Sequence, residues 1–368
     1  MVPRFSPLVA SRLDEFRLIR DLHRRFGRTG PAVLCGIGDD AAIIRPSPGR
    51  HLILTTDLLA EGVHFDLATA TFEDVGYKAA VANLSDIAAM GGIPHYVLVS
   101  VALPASCTPA EVEQFYRGLM GACRPHGVQL VGGDTSASPR SVFISLTMTG
   151  SVEPRRALTR NGARVGDMVY VTGTLGDSLA GLTLLATGRT PRSGGGAGRN
   201  RVLLHGDRYR RALMLRHLRP TPRLREGRLL STHRLATAAI DVSDGLSGDL
   251  AHVCEQSGVG AEIEAAALPL SPACRAYAAA AGLDPVRMAL RGGEDYELLF
   301  TVPPHKRATL ERRAREAGYR FSRIGTIRPK RIGLRLKGID GVSRRLEILS
   351  YRHFQAGQAT QREGAWSR

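Results

Sequence analysis

Residues 239–250, AIDVSDGLSGDL, carry the reading that decides the fold. In the wider stretch ATAAIDVSDG, small and β-branched residues suit a strand and Ser-Asp-Gly closes it as a turn. The next residues, LSGDLAHVCEQSG, place apolar side chains at helical spacing and end on glycine. A strand that passes into a helix through an acidic glycine turn is a unit of mixed α/β architecture.

The same alternation runs outward in both directions. Upstream, EFRLIRDLHRRF predicts an amphipathic helix, and HLILTTD a strand ending at Asp57. FEDVGYKAAVANLSDIAAMGG predicts a helix closed by Gly91 and Gly92, and HYVLVSVALP a strand stopped by Pro104. TPAEVEQFYRGLMGACRPHG predicts a helix with Thr108 as N-cap and proline just inside. VQLVGGD reads as a short strand entering a glycine turn, and SVFISLTMTG as another strand. The second half repeats the pattern with DMVYVTG, GDSLAGLTLLATG, YELLFTVP, HKRATLERRAREAG and RFSRIGTI. The class is therefore α/β or α+β. Ser-Asp pairs at 85–86 and 243–244, and Gly-Gly-acid turns at 132–134 and 292–295, echo across the halves. They point to two related α/β domains.

Composition narrows the function classes. Hydrophobic residues are 43% of the 368, enough for a sizeable core, while aromatics are only 5%. No apolar run approaches the roughly 18–20 residues of a membrane span, and the first residues lack the apolar core of a secretory signal. The five cysteines are dispersed without a C-x-x-C, which argues against a disulfide framework or zinc cluster and for reduced thiols in the cytoplasm. The net charge of +16 raises a nucleic-acid reading. Thirteen arginines against two acids in 188–234 supply most of it, but Tyr209 is the only aromatic there to stack a base. Residues 1–14 read as a flexible extension, 188–206 as a mobile Gly/Arg loop, and 355–368 as a fraying tail.

Acidic residues recur where apolar segments meet glycine: Asp39 and Asp40, Asp57, Asp86, Asp134, Asp241 and Asp244, Glu294 and Asp295. Each alone reads as an Asx-turn or helix cap. As a set they predict a convergent site, and carboxylates that converge need a cation. Hard oxygen donors suit Mg²⁺, which shares its coordination between carboxylates and phosphate oxygens. The chain has no G-x-x-x-x-G-K-[ST], and GIGDDA lacks the third glycine of a dinucleotide fingerprint. A nucleotide would then be held through metal ions, glycine backbone and an arginine such as Arg160. Asn83 and Asp86 share one helix face, aimed either at the site or at solvent. His64 reads as a loop residue or a site residue. Nothing resembles a Ser-His-Asp or Cys-His arrangement.

GIGDDAAI, TTDLLAEGVHF, YKAAVANLSDIAAMGG, LVGGDT, ALTRNGARVGD, HLRPTPR, AIDVSDGLSGDL and GGEDYEL occur in that order. Together they resemble thiamine-monophosphate kinases, of the superfamily that includes aminoimidazole ribonucleotide synthetase. The likeness spans about residues 15–354. It implies an N-terminal domain over 15–152 and a C-terminal domain over 153–354, in a homodimer paired through the N-terminal domains. It implies transfer of the ATP γ-phosphoryl group to thiamine monophosphate. Carried over by motif, Asp40, Thr55, Thr56, Asp57, Asp86, Asp134, Asp241 and Asp244 would bind Mg²⁺. Gly133, Asp134, Arg160 and Ser243 would contact ATP; His64, Glu294 and Tyr351 would contact the thiamine phosphate. Ser350 stands where the family usually has glycine. Aminoimidazole ribonucleotide and selenophosphate synthetases are alternative activities of the same superfamily, although no reactive Cys before a Lys occurs near the start. A basic nucleic-acid-binding protein is the non-enzyme alternative.

Overall fold

The computed structural model describes residues 15–27, 30–35, 43–187 and 206–351. Asp39 and Asp40, the N-terminal extension, nearly all of the 188–206 segment and the tail lie outside the described residues.

The first domain starts with α1 (Glu15–Phe26) and a small hairpin of β1 (Val33–Cys35) and β2 (Ile43–Ile44). Its sheet uses β3 (His51–Ala60), β4 (Ile93–Pro104), β5 (Gln129–Ser138) and β6 (Phe143–Val152), in the order β3-β6-β4-β5. Two helices, α2 (Phe72–Ala89) and α3 (Pro109–Cys123), accompany that sheet. Both begin with a capping box, Thr71 with Asp74 and Thr108 with Glu111. They pack closely because small residues face each other: a Cβ on Gly118 would stand 1.8 Å from the Glu73 carbonyl oxygen.

The second domain contains β7 (Met168–Thr172), α4 (Asp177–Thr187), α5 (Gly206–Leu218), α6 (Leu224–Thr232), β8 (Ala238–Val242) and α7 (Leu246–Ser257). Then come β9 (Gly260–Glu264), α8 (Pro272–Ala281), α9 (Pro285–Arg291), β10 (Glu297–Val302), α10 (Arg307–Ala317), β11 (Phe321–Arg328), β12 (Leu334–Lys337) and β13 (Ser343–Arg345). The sheet order is β13-β12-β9-β11-β7-β10-β8. Pairing is antiparallel except for β9 with β12 here and β4 with β5 in the first sheet. The architecture is thus mixed α and β, on the α+β side of the sequence expectation. Strands β7, β8 and β10 are buried along their whole length, as expected of residues covered on both faces.

Two sequence expectations change. The strand expected to stop at Asp57 continues to Ala60, so Asp57 is a mid-strand residue. GGD at 132–134 is not a turn but the middle of β5. Glycine is required there by close approach: a Cβ on Gly133 would lie 1.9 Å from the Val99 carbonyl oxygen of β4. The motif echo across the halves is therefore not an echo of geometry. Ser85 and Asp86 lie inside a helix, whereas Ser243 and Asp244 form the β8–α7 turn.

Helix α2 is the junction of the two sheets. It lies between the first sheet and the β8–β10 edge of the second, and one continuous apolar cluster joins Leu84 and Ile87 to Leu298 and Phe300. Most of its residues are buried, including the polar Lys78, Asn83 and Ser85.

Candidate active site

The polar face of α2 meets acidic strand residues from both domains. From β3, the Thr55 hydroxyl donates to Asp86 Oδ2. From β8, Asp241 Oδ2 accepts from the Ser85 hydroxyl at 2.7 Å. Asp57 joins the group from β3, and its Oδ2 is buried with no hydrogen-bond partner. Asn83 does not face solvent; its amide donates back to the Ala79 carbonyl at 3.3 Å, and its Oδ1 is also unpartnered.

Burial and mutual repulsion set the charge state. Burial, helped by Asp86, pushes Asp57 up to about 7. Burial with Asp86 and Asp57 pushes Asp241 up to about 7, against the Ser85 hydrogen bond and Arg160. Burial also raises Asp86, against Thr55 and Arg160. Asp249, on α7, is driven well above the usual range by burial and by Asp241 and Asp244, although it accepts from the Gly245 N–H at 3.1 Å. Such a cluster resists ionisation until positive charge arrives.

Among the described residues, no three His, Cys, Asp or Glu side chains already form a metal-binding group. The donor chemistry fits Mg²⁺ bound partly by phosphate oxygens: the set is all oxygen, one carboxylate oxygen is unfilled, and the carboxyls repel each other.

Strand alternation divides the remaining sequence candidates. Thr55 and Asp57 face α2. Thr56 lies on the opposite face of the sheet, where Thr147 donates to its hydroxyl at 3.2 Å. Asp134 is exposed on that same outer face, paired in register with Ser100, and accepts from the Thr135 N–H. Gly133 is exposed beside it. The structure does not bring Thr56 or Asp134 to the Asp57–Asp86–Asp241 group. Arg160 is exposed and near enough to hold down the Asp86 and Asp241 carboxyls. Ser243 and Asp244 occupy the β8–α7 turn, and the Tyr351 N–H donates to the Asp244 carbonyl at 3.1 Å.

The GGED segment is stitched to that turn. Glu294 N–H donates to the Ser243 carbonyl at 2.8 Å, and Tyr296 N–H to that of Val242 at 2.9 Å. Glu294 and Tyr296 both have left-handed backbones, at φ 60° and 51°, an uncommon state for residues with a Cβ. Successive acids therefore diverge. Asp295 accepts from the N–H groups of Gly176 and Ser178 at the start of α4, at 2.6 and 3.0 Å. Glu294 accepts from Lys78 Nζ at 2.9 Å. Burial opposes its ionisation, but Lys78, His217 and His64 together hold it below the usual glutamate range. The Ala60 N–H donates to His64 Nδ1 at 3.0 Å.

Lys78 and His217 escaped the sequence reading. The signal for Lys78 was a lone lysine inside the Ala-rich run YKAAVA; His217 was masked by the surrounding arginines. Several of those arginines make internal bonds. Arg223 forks onto buried Glu297, Arg216 joins it at 2.8 Å, Arg219 binds Asp74, and Arg228 binds Glu153. These four side chains pair with acids of the fold itself. No described helix is long and apolar enough to cross a membrane.

Comparison with known proteins agrees with this architecture. The N-terminal domain of AIR synthase related proteins matches residues 38–152, and the C-terminal domain matches 164–337. Thiamine-monophosphate kinase of Salmonella typhimurium is 38% identical over 340 residues, covering 92% of this chain and 98% of that protein. The Aquifex aeolicus enzyme is 41% identical over 273 residues, covering 73% and 81%. Among solved structures, thiamine-monophosphate kinase from Stenotrophomonas maltophilia K279a superposes with a TM-score of 0.75 at 37% identity, covering 90% of this chain and 98% of that one. A structure described as AaThiL complexed with AMPPCP and TMP gives 0.70 at 36% identity, covering 92% and 97%. With relatives of this identity spanning nearly its whole length, the chain belongs to the thiamine-monophosphate kinase family, built from two AIR synthase related domains.

Proposed function

We propose that this chain transfers the γ-phosphoryl group of ATP to the phosphate of thiamine monophosphate, giving thiamine diphosphate and ADP. An acceptor phosphate oxygen forms the new bond to the γ-phosphorus as the bond to the β–γ bridging oxygen breaks. The acceptor is already ionised near neutral pH, so no strong general base is needed. The demand is to hold two polyanions together, which calls for positioning and charge neutralisation. The observation that carries this reading is the group of half-buried Asp57 and Asp86 with buried Asp241, with the Asp57 Oδ2 atom enclosed and unfilled, at the junction of the two domains.

Mg²⁺ bound there would supply neutralisation of phosphate charge. Asp57, Asp86, Asp241 and Asp244 would hold it, with Asp40 from outside the described residues. Thr55 orients Asp86, and Ser85 orients Asp241. Arg160 and Ser243 would meet the nucleotide; Glu294, His64 and Tyr351 would meet thiamine monophosphate.

A homodimer paired through the first domains has its own support. Leu52, Leu54 and Leu58 of β3, Leu98 of β4 and Phe143 of β6 are exposed. Strand alternation and register put them on the sheet face turned away from α2, a larger apolar patch than isolated surface residues make. Thr56 and Asp134 share that face, so any contribution they make to phosphate binding would be made at the dimer interface. The test of the activity is incubation with ATP, Mg²⁺ and thiamine monophosphate, with separation of thiamine diphosphate. Folded protein that forms none overturns the reading.

A further inference from the structure

Lys78 lies on α2, 5% exposed, among alanines and other small residues. Its ammonium spans two partners from the other domain: Glu294 Oε2 at 2.9 Å and His217 Nε2 at 3.1 Å. An ammonium has donors only, so His217 Nε2 accepts and the ring proton sits on Nδ1. Nδ1 in turn lies 3.0 Å from the Ser178 hydroxyl at the start of α4. The chain of contacts Glu294–Lys78–His217–Ser178 thus joins α2, the GGED loop, α5 and α4. Glu294 is held at a left-handed backbone position, and its side chain remains partly open to solvent while Lys78 is enclosed.

We infer that Lys78 is a positioning residue for thiamine recognition: with His217 behind it, it fixes the Glu294 carboxylate as an acceptor-only anion. This rests on the proposed phosphoryl transfer. Thiamine carries a fixed thiazolium cation and an aminopyrimidine donor, both complementary to an ionised carboxylate. A glutamate in a strained loop and free of the lysine would sample several rotamers and would be costlier to keep charged. Lys78 removes both costs before the substrate arrives. His217, within 3.1 Å of Lys78 Nζ and 3.5 Å of Glu294 Oε2, adds orientation to both members of that pair.

The inference predicts a specific kinetic split. Lys78→Met raises the KM for thiamine monophosphate about tenfold or more and leaves the KM for ATP within about threefold, the pattern of a lost substrate-binding interaction. Lys78→Arg restores most of the loss, because it keeps a buried cation within reach. Glu294→Gln raises the same KM, and Lys78→Met/Glu294→Gln is no worse than Glu294→Gln alone, as residues acting through one another are non-additive. Lys78→Met leaves a half-buried carboxylate without its cation, so the double variant, in which that charge is gone, decides the case even where the single variant does not fold.

The inference is overturned if the two substitutions multiply. It is equally overturned if the ATP and thiamine monophosphate constants shift together. Wild-type protein that makes no thiamine diphosphate instead refutes the phosphoryl-transfer reading, which separates the two failures.

Discussion

Ser85 on α2 donates a 2.7 Å hydrogen bond to Asp241 on β8, so a single side-chain bond ties the first domain's central helix to the acidic strand of the second. Both residues are buried. Ser85→Ala leaves the Asp241 carboxyl without its partner, at a cost of about 1–3 kcal/mol in stability. It also frees Asp241 to rotate, and kcat/KM should fall about tenfold, the usual scale for loss of a residue that orients a metal ligand. Thermal unfolding and initial rates check both; unchanged values would show that the bond neither supports nor aligns the site.

Asp57 should trade stability for activity. Its unfilled oxygen and its neighbour Asp86 make the ligand-free site repulsive. Asp57→Asn removes a charge and supplies an amide donor, so the metal-free protein should unfold at a higher temperature at pH 8. Activity should fall at least about 100-fold, as for loss of a metal ligand. The Mg²⁺-dependent rise in unfolding temperature should shrink with it. A variant that is both less stable and fully active would remove Asp57 from the site.

The placement of Asp57 shows what was legible in the sequence. The sequence marks acids where apolar segments meet glycine, and of these Asp57, Asp86 and Asp241 lie close together in the structure. Neither Asp57 nor Asp134 ends its strand, because both strands run on past the acid. Period-two alternation then sends Thr55 and Asp57 one way and Thr56 the other, a distinction that a motif read as a block hides. Gly132-Gly133 resembles a turn in sequence; only the close pass of Val99 shows why glycine sits in a straight strand. Lys78 was visible as an oddity in an apolar helix, but its partners are 139 and 216 residues away. Helices with strong local signals, such as the Thr108 capping box, match the sequence expectation because their cause is local.

Asp295 gives the stability curve a definite sign. Burial pushes its carboxyl up from 3.8 to about 7, against Arg216 and two backbone N–H bonds. The folded state keeps a proton that the unfolded chain loses in that interval. Its contribution to stability therefore falls as pH rises from about 4 to about 7 and is level above. Asp57 and Asp241 act in the same direction. Asp295→Asn should make the decline shallower without abolishing it, as read by urea unfolding across that range. An identical slope would show that Asp295 ionises normally.

The exposed leucines of β3 bear on assembly. Leu54→Asp with Leu58→Asp places charge in the middle of the apolar sheet face. Sedimentation should show dimeric wild type and monomeric variant at micromolar concentration. Wild-type protein that sediments as a monomer would contradict pairing through this face.

The most direct test of the central claim is product formation itself. Purified protein, ATP, Mg²⁺ and thiamine monophosphate should give thiamine diphosphate and ADP in equal amounts, and the reaction should stop when EDTA removes the metal. ADP without thiamine diphosphate, or no turnover by folded protein, would contradict the account.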